Sequence, residues 1–415
     1  MIEKTIKRAM VVLIILVVIG TLLIKYAFNI TFFRQLVIII IDLAAISIFA
    51  YIYFKPEFII KRRREIFLLI LSLVIFFVLM EIILRVTDCG WKWDVSPDGD
   101  IKYKYEKSAK ICNSIIDGKR FYVRTNNEGF IDDDLEFKEE DYNIFLIGDS
   151  YAACLESDYA NCAHQKLERD LKEKYGGKIN IINFGVSSYS GLAELAVIKH
   201  YKDLYKPKMI ILYFYVNDLQ ENQDYLDKKY IRTKSQNIIR KITPKTLLFF
   251  FTYGKNLLDK VFINSERYRS LSGLEAQAVQ GHEVYSKEYT SKWENLTNLE
   301  LQVLSEIYKI SREENITLLH VAVTAPEQVY EERWKQAFET YPSLKAENYD
   351  SSKPNNIIMS YAEENGMHHL DLLPLFRQNQ KNLHWAEGHW NDEGQLFAAE
   401  KINEYIIENN LIRSS

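Results

Sequence analysis

The sequence predicts an α/β domain built on a parallel sheet with helices on both faces, preceded by three transmembrane helices. Three observations predict it. Apolar residues gather into three runs within the first 86 positions. From Tyr142 onward, short apolar runs alternate with amphipathic stretches of helical period, the pattern of a sheet with crossover helices. One of those runs, Met209–Tyr215, has almost no polar residue, as expected of a strand buried on both faces.

The apolar runs come first in the chain. Ala9–Ile24, Leu36–Phe54 and Ile66–Leu84 are each near the ~20 residues a helix needs to cross ~30 Å of hydrocarbon. Lys4, Lys7 and Arg8 precede the first run, Lys25 and Arg34 lie in the first loop, and Lys55 with Lys61, Arg62, Arg63 and Arg64 fill the second. Basic loops stay in the cytoplasm. The amino terminus and second loop therefore face inward, and three crossings leave everything after residue 86 outside the cytoplasmic membrane. A cleaved signal peptide is the rival reading of the first run, disfavoured because no small-residue cleavage site follows and two more spans come next. Asp42 falls inside the second run, where an interhelical hydrogen bond or a protonated acid accounts for it. Glu81 is close enough to the outer boundary to reach water.

All four cysteines, Cys89, Cys112, Cys154 and Cys162, fall in the part assigned to the outside. An oxidising compartment permits two disulfides, and proximity pairs Cys89 with Cys112 and Cys154 with Cys162. Residues 87–142 are polar, with turn signals at Ser96-Pro97-Asp98-Gly99 and Asn127-Glu128-Gly129, and read as a membrane-proximal segment ordered against the main domain. Residues 143–415 hold that domain. Its strands are expected at Asn143–Ile147, Ile179–Phe184, Met209–Tyr215, Thr317–Val323 and His368–Leu373. Helices fall at Tyr159–Tyr175, Leu192–Tyr205, Leu296–Glu314 and Glu393–Asn409. A cap-like insertion at about 219–292 interrupts the sheet. Its middle, Lys241–Phe251, joins apolar to basic residues. It reads as a cap helix buried against the domain or as a lid touching the membrane surface.

Charge is nearly balanced, with 52 Lys+Arg against 56 Asp+Glu, so nucleic-acid binding has no support. No metal-ligand spacing and no glycine-rich phosphate loop occurs, and no cofactor is implied. The informative residues sit at strand ends, where parallel sheets collect function: Gly148-Asp149-Ser150, then Asn183-Phe184-Gly185, then Asn217-Asp218, and Glu387-Gly388-His389-Trp390-Asn391 before the last helix. A serine hydroxyl is a poor nucleophile until a base takes its proton, and His389 can serve. The backbone N–H groups of Ser150 and Gly185 and the Asn217 amide can surround a developing oxyanion, each such donor contributing about 3–4 kcal/mol. This is the equipment of ester cleavage or acyl transfer. Asp149 orients the turn rather than reacting. His384, His368 and His369 are the rival histidines, the last two lying in or beside a strand.

These pieces, in this order, resemble the SGNH hydrolases, the GDSL-type esterases, over about residues 143–415. The resemblance implies a flavodoxin-like three-layer sandwich and a serine–histidine–acid mechanism with Ser150, Gly185 and Asn217 as the oxyanion hole. Val123–Phe130 and His389-Trp390-Asn391 with Gly394 are similar to segments of the membrane-anchored, envelope-polysaccharide subgroup. That likeness implies an ester substrate, such as O-acetyl on a surface or cell-wall polysaccharide, and a separate membrane protein as acyl donor. Many members carry aspartate three residues before the histidine, where this chain has Ala386. Glu387, two residues before, is the expected acid, with Asp392 the alternative. Hydrolysis and O-acyl transfer share the acyl-serine intermediate. A polysaccharide-binding scaffold with a decayed site is the third reading.

Overall fold

The computed structural model describes residues 4–5, 7–8, 10–15, 32–87, 93–94, 101, 103–112, 116, 119–135, 138, 140–227, 246, 254, 261, 263–265, 269 and 274–412. The chain divides into two compact units, Cys89–Ile231 with Gly281–Ser415, and Met1–Asp88 with Arg232–Gln280.

In the larger unit, five strands form one parallel sheet: β1 (Tyr142–Ile147), β2 (Ile179–Asn183), β3 (Met209–Phe214), β4 (Thr317–Ala322) and β5 (His368–Asp371), in the order β2-β1-β3-β4-β5. That is the flavodoxin-like order, and its direction reverses beside β1. Parallel neighbours need crossovers, and helices supply them: α1 (Ser150–Ala153), α2 (Ala163–Tyr175), α3 (Gly191–Tyr205), α4 (Asp218–Leu226), α5 (Ser291–Glu313) and α6 (Lys353–Glu364), while α7 (Asp392–Glu408) follows the last strand. Side chains alternate along β1. Ile144 and Leu146 enter a core with Leu167 and Leu171 of α2 and Ala398 and Ile402 of α7. Phe145 and Ile147 enter the opposite core with Val197 of α3 and Leu304 and Ile307 of α5. Two apolar cores around one sheet make the three layers.

The polar segment before the sheet belongs to this unit. Tyr105, Phe130 and Ile131 are fully buried in the second core. Asp132 accepts the Asn183 N–H at 2.8 Å, which ties the segment to the end of β2. The described residues of the expected 87–142 segment thus share a core with the sheet. The helix expected over Tyr159–Tyr175 begins later, at Ala163, because a disulfide-bracketed loop and one 3₁₀ turn (Tyr159–Asn161) come first.

The smaller unit contains helices Phe32–Phe54, Pro56–Lys61 and Arg63–Thr87. Among the described residues one helix, Arg63–Arg85, is long and apolar enough to cross a membrane. Its apolar side chains are bare, Phe67 being 64% and Ile83 59% exposed, which water would penalise and lipid would not. The run Ala45–Phe54 is apolar but shorter, and the first expected span lies largely outside the described residues. Most of the insertion groups with this unit rather than with the sheet. Thr246 shows why: its N–H and hydroxyl both donate to the Glu81 carboxylate near the end of the apolar helix. The rest of Lys241–Phe251 lies outside the described residues, and so does Cys89 of the expected Cys89–Cys112 pair.

Candidate active site

Strand β1 runs straight into Gly148-Asp149-Ser150, and Ser150 is the first residue of α1. Asp149 caps that helix, its Oδ1 accepting the Tyr151 N–H at 2.9 Å, while Oδ2 lies 3.4 Å from Ser150 Oγ. The aspartate is buried to 1% exposure, and it holds the turn, as expected. Next door, Gly185 ends the β2 connection against the backbone of α1. A Cβ there would sit 2.4 Å from Ala153 N and 2.5 Å from Ala152 C, so only glycine lets the two segments approach.

The histidine turn is built differently. His384 and Trp390 pair as an antiparallel bridge, and between them Trp385 N–H donates to the His389 carbonyl at 2.8 Å. Gly388 has φ +125°, a conformation glycine adopts freely. That turn brings Glu387 and His389, two residues apart, face to face. Glu387 Oε2 lies 2.7 Å from His389 Nδ1, and Oε1 accepts the His389 N–H at 3.2 Å. On its other side His389 Nε2 lies 2.8 Å from Ser150 Oγ. Trp390 is fully buried, stacked on Phe376 and bonded through Nε1 to Thr324 Oγ1. Asn391 caps α7 by accepting the Gly394 N–H at 2.9 Å. The His-Trp-Asn pattern thus has a structural job at each position.

The structure therefore brings Ser150, His389 and Glu387 into one hydrogen-bonded line. It keeps the rival histidines away. His384 is buried between Thr324 and Tyr330, with burial lowering its pKa to about 4, and His369 Nδ1 lies 3.0 Å from the Met367 carbonyl. Asp392 bonds Lys119 and the Asp158 N–H instead of His389. Of the expected oxyanion donors, the Ser150 N–H has no partner among the described residues. Asn217 Nδ2 donates to Glu221 Oε1 at 3.2 Å. The Gly185 N–H is not open as expected, because it donates to Asn183 Oδ1 at 2.9 Å in an Asx turn. What Gly185 supplies in this conformation is room.

Electrostatics concentrate on the histidine. Burial alone would lower its pKa, but the Glu156 charge, the Glu387 hydrogen bond and charge, and Asp149 outweigh it and push it up to about 9. Burial opposes ionisation of Glu387, yet the His389 hydrogen bond and charge hold that carboxyl below its ordinary range. Behind Asn217 lies a group of buried acids, of which the sequence reading had named only Asp218. Glu300 Oε2 accepts from Asn222 Nδ2 at 2.6 Å, and Asn222 Oδ1 accepts the Leu192 N–H at 2.9 Å. Burial raises Glu300 to about 7, and burial with mutual repulsion raises Glu194 and Asp218 well above their usual range. Glu194 and Asp218 so placed carry protons at neutral pH, where Glu300 is partly protonated. Glu156, 6% exposed beside the histidine turn, was also missed. Its only signal was its position inside the Cys154–Cys162 bracket.

No family model matches the chain, and no curated protein does. Solved structures similar to it include an acetyl xylan esterase, AlAXEase, at 14% identity, covering 64% of this chain and 99% of that one with a TM-score of 0.36. A lipase/acylhydrolase from Enterococcus faecalis is 12% identical, covering 66% and 98%, with a TM-score of 0.36. A member of the lipolytic G-D-S-L family from Veillonella parvula is 12% identical, covering 63% and 96%, with a TM-score of 0.35. At such identities and scores the chemistry is read from the site's own geometry.

Proposed function

We propose that this chain is a membrane-anchored serine esterase whose larger unit works outside the cytoplasm. One observation carries the reading: Ser150 Oγ, His389 Nε2, His389 Nδ1 and Glu387 Oε2 form a continuous relay of 2.8 and 2.7 Å contacts. In it neutral His389 takes the Ser150 proton as Oγ attacks the ester carbonyl. Glu387 holds the ring with Nε2 toward the serine and stabilises the imidazolium that forms. The oxyanion is received by the Ser150 N–H and the Asn217 amide, and the Gly185 N–H joins them if it leaves Asn183. His389 then returns the proton to the departing alkoxide, and water, activated by the same histidine, frees the acyl group.

The anchor is proposed as three spans with the amino terminus inside. It is supported by the apolar helix Arg63–Arg85, the apolar runs before it and the basic second loop. The disulfide between Cys154 and Cys162 fits an oxidising compartment. The proposed substrate is an O-acetyl ester of surface or cell-wall polysaccharide, supported by the subgroup-like segments Val123–Phe130 and His389–Gly394. A sugar hydroxyl in place of water would make the same intermediate an O-acyl transfer, with the acyl group supplied by a membrane partner. The test uses the full-length chain in detergent with a fluorophosphonate probe and p-nitrophenyl acetate. Labelling and turnover that vanish in Ser150→Ala and His389→Ala are expected. A folded wild type that neither labels nor turns over would overturn the reading in favour of a binding scaffold.

A further inference from the structure

A loop from the serine side reaches over to the histidine turn. Helix α1 ends at Cys154, whose backbone is left-handed at φ 56°, and Cys154 is bonded to Cys162 across eight positions, with Cα atoms 5.8 Å apart. Inside the bracket, Glu156 is 6% exposed. The Trp385 indole N–H donates to the Glu156 carbonyl at 2.7 Å, and Trp385 also donates its backbone N–H to the His389 carbonyl. Two residues on, the Asp158 N–H donates to Asp392 Oδ1 at 2.9 Å, and Lys119 Nζ bonds both aspartates. The loop is thus stitched to the chain on both sides of His389, at Trp385 before it and Asp392 after it.

We propose that the Cys154–Cys162 loop is a positioning element for His389, clamped by the disulfide and by Trp385. The proposal rests on the serine–histidine reading above. Its physical sense lies in the step where Ser150 loses its proton. The imidazolium then needs negative charge nearby, and Glu387, 37% exposed, is partly screened by water. The ring therefore has to be held in place against both Glu387 and Ser150 as that charge forms. The groups facing the ring are Glu387 and neutral His384 on its own turn, Glu156 on the loop, Asp149 and Ser150 at the end of β1, and the Tyr151 ring 5.4 Å away. Glu156 is the strongest of the influences raising the histidine's pKa, in keeping with that placement.

The experiment uses the full-length chain in detergent, with p-nitrophenyl acetate kinetics and a ¹³Cε1-histidine NMR titration, the His389 signal being assigned by its loss in His389→Ala. Trp385→Phe removes only the indole donor, and kcat should fall roughly tenfold with KM within about twofold. Glu156→Gln should move the His389 titration midpoint down by about one pH unit, and Glu156→Asp should restore most of it. Cys154→Ser with Cys162→Ser should act in the direction of Trp385→Phe, which leaves the disulfide intact and so keeps the decision independent of how that double variant folds. Wild-type kcat in Trp385→Phe would overturn the proposal, and an unmoved midpoint in Glu156→Gln would remove its electrostatic support. If the wild type fails to turn over, the esterase reading falls, while the titration still decides whether Glu156 acts on His389.

Discussion

The serine turn and the histidine turn meet at one 2.8 Å contact, yet they are held by different forces. Ser150 follows directly from a strand buried on both faces, and its neighbours are backbone: α1, the Gly185 segment and a buried cap at Asp149. His389 sits 30% exposed on a loop, held by side chains: Glu387, Trp385, the buried Trp390 and the Asn391 cap. A group set by the main chain has one address, and disturbing it disturbs the fold. A group set by side chains can be detuned in steps. The two halves should therefore answer mutation differently.

The largest effect breaks the contact itself. Ser150→Ala should abolish probe labelling and lower kcat/KM by about 10⁵-fold with the melting temperature unchanged, as checked by calorimetry. Next, Glu387→Gln keeps the shape of the histidine side and removes its charge. Turnover should fall roughly 10³-fold. The same variant sharpens the pH behaviour. With neutral His389 as the proposed base, wild-type kcat/KM should climb with pH up to about 9, and the limb in Glu387→Gln should shift to lower pH. An unchanged limb would mean that the titration seen belongs to another group. On the serine side, Gly185→Ala should cost activity and stability together, roughly 10²-fold in labelling rate and about 2 kcal/mol in unfolding. A variant that lost labelling at full stability would erase the contrast between the two turns.

The smallest expected effect lies behind Asn217. Glu300 has a folded pKa of about 7 against an ordinary 4.5, so the folded state holds its proton more tightly than the unfolded chain. That contribution is complete below pH 4.5 and is lost as pH rises through about 7. Melting temperature measured from pH 5 to pH 8 should decline, and Glu300→Gln should flatten the decline.

Much of this was legible in the residues. Strand β3 was readable because a strand buried on both faces must be apolar along its length, as Met209–Phe214 is, whereas β5, His368–Asp371, is half-exposed and was legible only from the alternation of strands with helices. Ser150, Gly185, Asn217 and His389 were readable because each stands at a strand end or before the last helix. Glu387 was readable by its spacing from His389. Glu156 was not, because its relation to His389 is made by a disulfide and an indole hydrogen bond joining residues 229 positions apart. Nothing in the spacing of Glu194 and Glu300 marks them as buried, and Asp218 was legible only as the strand-end neighbour of Asn217. The occupied Gly185 N–H depends on the Asn183 side-chain rotamer, which no spacing encodes.

The grouping of Arg232–Gln280 with Met1–Asp88 has a consequence in time. A chain emerges from its amino terminus and domains form as their parts appear. The carboxylate of Glu81 waits for Thr246 while the strands bearing Ser150, Gly185 and Asn217 are made between them. His389 arrives later still. The amino-terminal unit is thus finished in the middle of synthesis of the other, and a fragment begun at Cys89 would carry Arg232–Gln280 with nothing to receive it.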